Sequence, residues 1–313
     1  MVLKMKRYKL LLWGAGKIYN GIKNCIAWYE LSGQVEIVGI VANGLSGFLS
    51  LDNYKIVNRD SVNSQIFDYI IILSDIWERD IIHEIENKYG IERRKLIPYR
   101  VLLIPNLKFD DYIQIKESNL SIISNNCWGG VICHTLGIEC CSPFKNLFVL
   151  DDDYIKLLHD LKSYMKEPLV YRRNAVDPHS HKRYPVMSLG DLEIHCNHSK
   201  NPDEAGECWR RRCQKINYEN LYVEMYTESR YIAEEFLKLE QFSRRVCFVP
   251  FDVEDDSCLM KLPILSGQEE FWETVNSNGG IGTNGLVYSI VDLLMDRKES
   301  TNEGGSIWNR RLL

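Results

Sequence analysis

Apolar residues in this chain fall into two alternating patterns. Short unbroken runs, such as Leu10-Leu11-Leu12 and Ile70-Ile71-Ile72, predict strands buried on both faces of a parallel sheet. Between them, apolar residues recur three or four positions apart, which predicts helices with one inward face. In the first third of the chain the predicted strands are Arg7–Trp13, Val35–Val41, Tyr54–Val57, Phe67–Leu73 and Leu96–Pro98. The predicted helices are Lys17–Leu31, with Ile18, Ile22, Cys25, Ile26 and Tyr29 on one side, and a segment through Ile81, Ile82, Ile85 and Tyr89. Ser74 or Asp75 suits the cap of that second helix, and Gly90 suits its end.

Residues 101–118 are of mixed polarity, carry Pro105 and mark a boundary. Beyond them, Leu120, Ile122 and Ile123 predict a short strand, followed by the polar turn Ser124-Asn125-Asn126, Cys127-Trp128, and Gly129-Gly130 opening a helix through Val131, Ile132 and Leu136. Asp151 heads a helix with Tyr154, Leu157, Leu158, Leu161 and Met165 on one face. Val170–Arg173, Pro185–Leu189 and Asp191–Asn197 read as strands, the last two forming a hairpin about Gly190. Asn201-Pro202 starts a helix reaching about Ile216, and Ser229 starts another, with strands at Leu221–Tyr226 and Arg244–Val249. A glycine-rich loop at Gly279–Gly285 and a helix over Leu286–Met295 follow. The alternation predicts an α/β protein of two Rossmann-like domains, residues 1–115 and 116–313, with mostly parallel sheets flanked by helices.

Composition narrows the class. A net charge of -5 with 26% charged and 45% hydrophobic residues is that of an ordinary globular chain, and it lacks the basic excess of a nucleic-acid binder. No apolar run approaches the roughly 18 residues of a membrane span. The basic start is followed by an apolar core of only Leu10–Trp13, too short for a signal peptide. The ten cysteines sit inside apolar strand and helix patterns, which points to free thiols in a reducing, cytoplasmic setting.

Two turns carry candidate chemistry. Gly14 and Gly16 stand between a strand and a helix, as in a dinucleotide fingerprint, but Tyr19 occupies the third glycine position, and Ala42 and Asn43 stand where an acid should hold a ribose. No cofactor is therefore assigned. The segments GAG, GIVAN and FDYIIILS resemble small nucleotide- or CoA-binding Rossmann-like modules found beside sugar acyltransferases and in polysaccharide gene products; the resemblance covers roughly residues 7–100.

The second turn, Asn125 to Gly130, places backbone N–H groups and a thiol at a helix start. That suits an anion and lowers a cysteine pKa. One reading is a transferase in which Asn125, Asn126, Gly129 and Gly130 cradle the phosphates of a nucleotide-activated donor, Arg212 pairs with them, and Trp128 stacks on a sugar. A second is acyl transfer or hydrolysis with Cys127 as nucleophile, His195 as base, and Glu193 or Asp191 orienting the imidazole. A third is a non-catalytic binding or scaffold protein. The cysteines and histidines form no paired metal knuckle, so no metal is assigned. The segments SNNCWGG, CSPF, YPVMSLGDLEIHC and ECWRRRCQKIN are similar to a bacterial family of unknown function labelled with exopolysaccharide biosynthesis, over roughly residues 120–250. That resemblance implies surface-glycan assembly and carries over no catalytic residue.

Overall fold

A computed structural model describes residues 6–42, 49–104, 106–253, 258–262, 270–273, 275 and 289–297. Asn43, Pro105, the loop expected at Gly279–Gly285 and the first residues of the helix expected at Leu286–Met295 lie outside these. The protein is α/β and divides into two compact units, Met1–Glu117 with Thr135–Ile138, and Ser118–His134 with Glu139–Leu313.

The first unit is built on β1 (Tyr8–Trp13), β2 (Val35–Val41), β3 (Ser50–Leu51), β4 (Tyr54–Val57), β5 (Tyr69–Ile72) and β6 (Leu96–Pro98), with helices α1 (Lys17–Leu31), α2 (Glu78–Tyr89) and α3 (Phe109–Glu117). The strand order is β3-β4-β2-β1-β5-β6, and every pairing is parallel except β3 with β4. The direction of winding reverses at β1, whose neighbours are β2 and β5, so the carboxyl end of β1 is the switch point of this sheet. Leu11, Ile70 and Ile72 are buried in this sheet, which accounts for their unbroken apolar runs. Helix α3 occupies residues expected only to mark a domain boundary. Its charged positions conceal a buried stripe of Phe109, Tyr112 and Ile113.

The second unit has a four-stranded sheet in the order β13-β12-β11-β7, all parallel: β7 (Ser121–Ser124), β11 (Leu221–Tyr226), β12 (Arg245–Val249) and β13 (Leu259–Lys261). A separate antiparallel sheet, β10-β9-β8, is made by β8 (Leu169–Val176), β9 (Arg183–Leu189) and β10 (Leu192–His195). Helices α4 (Trp128–Leu136), α5 (Asp151–His159), α6 (Leu161–Tyr164), α7 (Pro202–Cys213) and α8 (Arg230–Leu237) complete the unit, with a short helix at Ile290–Leu294. The single helix expected from Asp151 to Met165 breaks at Asp160, where φ is -140°. Asn201 caps α7 as expected, its side-chain oxygen accepting from the Glu204 N–H at 2.9 Å. The main core joins Ile123, Val223, Met225 and Cys247 of the parallel sheet to Tyr154, Leu157 and Leu158 of α5, and to Leu189, Leu192 and Ile194 of the hairpin.

Candidate active site

Strand β7 ends at Ser124, directly beside Glu224 of β11 in the parallel register. The chain then turns through Asn125, Asn126 and Cys127 into α4. This is the carboxyl end of a parallel sheet, where α/β proteins place their sites.

The turn is held by its own side chains. The Asn126 Oδ1 accepts from the Trp128 N–H at 2.6 Å, and the Ser124 Oγ accepts from the Gly129 N–H at 3.3 Å. The Asn126 amide donates to both carboxyl oxygens of Glu224, at 3.0 and 3.1 Å, and to the Asn125 Oδ1 at 2.9 Å. Asn125 in turn bridges to β11: its amide donates to the Tyr226 carbonyl at 3.0 Å, and its Oδ1 accepts from the Tyr226 N–H at 3.2 Å. The expected phosphate cradle is thus corrected. The N–H groups of Trp128 and Gly129 are already taken by side chains, and Asn125 and Asn126 are buried caps. Trp128 is likewise core rather than a stacking platform: it is 0% exposed and packs on Tyr222 and Phe248, with ring centroids 6.2 and 5.8 Å away.

Glu224 is a buried carboxyl in the middle of a sheet. Burial pushes its pKa up to about 8, against the Asn126 hydrogen bonds that favour the charged form. Tyr154 of α5 places its hydroxyl 2.9 Å from the carbonyls of both Ile123 and Glu224, tying the two strands together beneath the turn. Asp151 completes the polar edge. It accepts from the Thr227 hydroxyl at 2.5 Å, and burial raises its pKa.

Cys127 is half-buried at the first bend of α4. Burial, and then the Glu224 carboxyl, push its thiol up to about 11, opposite to the lowering expected from the helix start. Its sulfur lies 3.7 Å from the Nε2 of His198, an exposed residue in the loop after β10. His198 rather than His195 is therefore the imidazole that meets the thiol.

His195 is close in backbone but occupied in side chain. Its N–H and carbonyl pair with Phe148, at 2.9 and 3.0 Å, while the next N–H, that of Val149, donates to the Asn125 carbonyl at 2.9 Å. One extended segment thus joins the Asn125 bend to the hairpin bearing His195. The His195 ring, 6% exposed, stacks on Phe148 at 4.4 Å, and its Nδ1 lies 3.2 Å from the Tyr184 hydroxyl. Its Nε2 is buried without a hydrogen bond, 3.7 Å from Glu193, and burial lowers its pKa. Glu193 is bound by Arg173 at 2.7 Å and Arg172 at 3.2 Å. Asp191 sits in the hairpin turn, held by Lys156 and by the Tyr164 hydroxyl at 2.8 Å. The expected triad is thus not assembled: Glu193 approaches His195, but the Cys127 sulfur meets His198 instead, and Asp191 is held by Lys156 and Tyr164 rather than by the imidazole.

Arg212, half-buried on α7, donates to the Lys145 carbonyl at 2.8 Å. A Cβ added at Gly130 would lie 3.2 Å from the Lys145 side chain, so Gly130, Lys145 and Arg212 form one neighbourhood. Nearby, Cys140 is pulled down to about 7, first by a hydrogen bond from the Cys133 thiol and then by Lys145 and Arg212. Among the described residues no three His, Cys, Asp or Glu side chains form a metal-holding group.

In the first unit Gly14 adopts φ +118° and its N–H donates to the Val41 carbonyl at 2.8 Å. Gly16 begins α1 without a side-chain cap, and a Cβ there would meet nothing within 4 Å. Tyr19, 0% exposed, is wedged into the core where a dinucleotide fingerprint needs glycine for close packing, and its hydroxyl donates to Asp52 at 3.1 Å.

Two residues of the second turn's surroundings were not singled out for it from the sequence. Glu224 had a readable signal, an acid inside the apolar strand LYVEMY. His198 had none, because it lies in a loop where no period fixes direction.

A family model described as Domain of unknown function (DUF1919) matches residues 99–293, more than half of the chain. A second, described as C2185-like, N-terminal, matches residues 6–97. An uncharacterized protein of Haemophilus influenzae is 32% identical over 126 residues, which is 40% of this chain and 58% of that protein. The match thus spans less than two thirds of the relative's length.

Proposed function

The chain belongs to the family of the Domain of unknown function (DUF1919), and for this member we propose a cysteine-dependent acyl transferase or hydrolase, with Cys127 as nucleophile and His198 as its base. The observation that carries this reading is the 3.7 Å approach of the His198 Nε2 to the Cys127 sulfur, at a strand-to-helix turn on the carboxyl end of a parallel sheet.

A thiol held near 11 does not ionise by itself at neutral pH. The proton leaves with help from His198 as the sulfur attacks the acyl carbonyl. A C–S bond forms, the leaving group departs with the proton from His198, and an acyl thioester remains. The acceptor hydroxyl, or water, then gives its proton to His198 and attacks the thioester, and the sulfur leaves as the restored thiol. The helix start contributes its dipole to the developing negative charge, since the Trp128 and Gly129 N–H groups are engaged. Glu224, held by Asn126, fixes the turn from below.

We infer an activated acyl donor and a hydroxyl acceptor on a bacterial surface glycan, the setting implied by the sequence resemblance. Ten free cysteines fit work in a reducing compartment. The test is to incubate the full chain with a small acetyl thioester and map adducts by peptide mass spectrometry. An acetyl group on Cys127, slowed about 100-fold or more by His198→Ala, is expected. Equal labelling of other cysteines, or a rate indifferent to His198, rejects the reading.

A further inference from the structure

Among the described residues, the neighbourhood of Arg212 contains more positive charge than negative charge to pair with it. Arg212 spends one N–H on the Lys145 carbonyl, and among the described residues neither Arg212 nor Lys145 has a carboxylate at ion-pair distance. An anion lying between two half-buried cations is attracted by both. Both line a narrow cleft with Asn146, Ser199, Cys208 and Trp209. Trp209 is 4% exposed, and its indole N–H is buried with no acceptor, a costly state for a donor unless a ligand or water meets it. The cleft has room within it for roughly one water-sized group, so a ligand would insert one oxygen and leave the rest at the mouth.

We propose that this cleft is an oxyanion site, in which Arg212, Lys145 and the Trp209 N–H bind one oxygen of a phosphate or carboxylate group carried by a substrate. Arg212 offers a planar fork suited to either anion, and Lys145 offers a point charge. Cys140 feels the same field: after the Cys133 hydrogen bond, these two cations stabilise its thiolate. Cys140 does not itself line the cleft, so it does not fill the position. Ser199, which lines the cleft, follows His198 in sequence. The inference does not require the cysteine chemistry; it requires only the unpaired cations and the orphan donor.

The experiment is thermal unfolding of the full chain in inorganic phosphate, acetate and chloride at matched ionic strength. A saturable rise in midpoint with phosphate, acetate or both, above chloride, is expected. Phosphate alone identifies a phosphoryl ligand, and acetate alone a carboxylate. Arg212→Gln and, separately, Lys145→Gln should each weaken the apparent dissociation constant about 10-fold, so the loss of one variant to misfolding leaves the other. Cys127→Ala should leave it unchanged. Binding should also slow alkylation of Cys140 in wild type, because a bound anion neutralises the cations that favour its thiolate. No saturable effect beyond chloride, meaning that the cleft holds water only, overturns the proposal. So does wild-type affinity in both cation variants. Because Cys127→Ala removes acylation and not anion binding, failure of this site and failure of the catalytic reading are separately visible.

Discussion

Two strand-to-helix turns in this chain begin with the same plan and end differently. After β1 the turn is Gly14-Ala15-Gly16, with bare backbone and open space at Gly16. After β7 it is Asn125-Asn126-Cys127, and side chains fill the positions that a ligand would take at the helix start. A helix N-terminus attracts anions only while its N–H groups are free. The second turn has exchanged that property for a fixed polar scaffold carrying a thiol. Glycine at a turn therefore does not establish an anion site, and asparagine can close one.

The sharpest way to break this contrast is to remove the scaffold. Asn126→Ala deletes the acceptor for the Trp128 N–H and both hydrogen bonds to buried Glu224. The expected loss is about 2–4 kcal/mol of unfolding free energy, read by urea titration, because buried polar groups are left without partners. An effect below about 1 kcal/mol would mean that the turn is not held in this way.

Crowding distinguishes the turns next. A Cβ at Gly129 would stand 2.8 Å from the Ser124 Oγ and 2.9 Å from an Ile122 methyl. Gly129→Ala should therefore cost about 1–3 kcal/mol through overpacking and through displacement of the Ser124 cap. The same titration checks it.

These differences were only partly legible in the sequence. The spans of α1, β2 and β11 follow from apolar period alone, because each has one rule and a clear boundary. The hairpin of β9 and β10 about Gly190 was readable, but periodicity does not specify that β8 pairs with β9. Strand alternation put His195 on a polar face, yet the aromatic neighbours Phe148 and Tyr184 seal it, and both come from elsewhere in the chain. The residue type at Asn125 and Asn126 does not separate a ligand donor from a cap; the position of Glu224 and Tyr226 across the sheet decides between those roles.

Glu224 makes the second turn sensitive to pH in a way the first is not. Its pKa is 4.5 ordinarily and about 8 in the folded chain, so the folded state holds its proton over that interval. Stability from this group is unaffected below about pH 4.5, falls as pH rises through the interval, and is fully lost above about 8. Glu224→Gln should flatten that slope, gaining on wild type as pH rises from 5 to 9 in urea titrations. It should also lower the Cys127 pKa, since the carboxyl contributes to raising it. A parallel pH profile in the two proteins would refute a raised Glu224.

The smallest expected effect belongs to the open turn. At Gly16 the backbone has φ -88° and ψ -149°, and an added Cβ meets nothing within 4 Å. Gly16→Ala should then change stability by no more than about 0.5 kcal/mol, chiefly through the cap preference for glycine over alanine. Gly14→Ala is its control, because φ is +118° and the Cβ would come within 3.3 Å of the Leu73 carbonyl. That substitution should cost more, about 1–3 kcal/mol. If both glycines proved equally tolerant, the backbone at this turn would be free to adjust. If Gly16→Ala were as costly as Gly129→Ala, the space at the head of α1 would be filled in solution and the two turns would be alike after all.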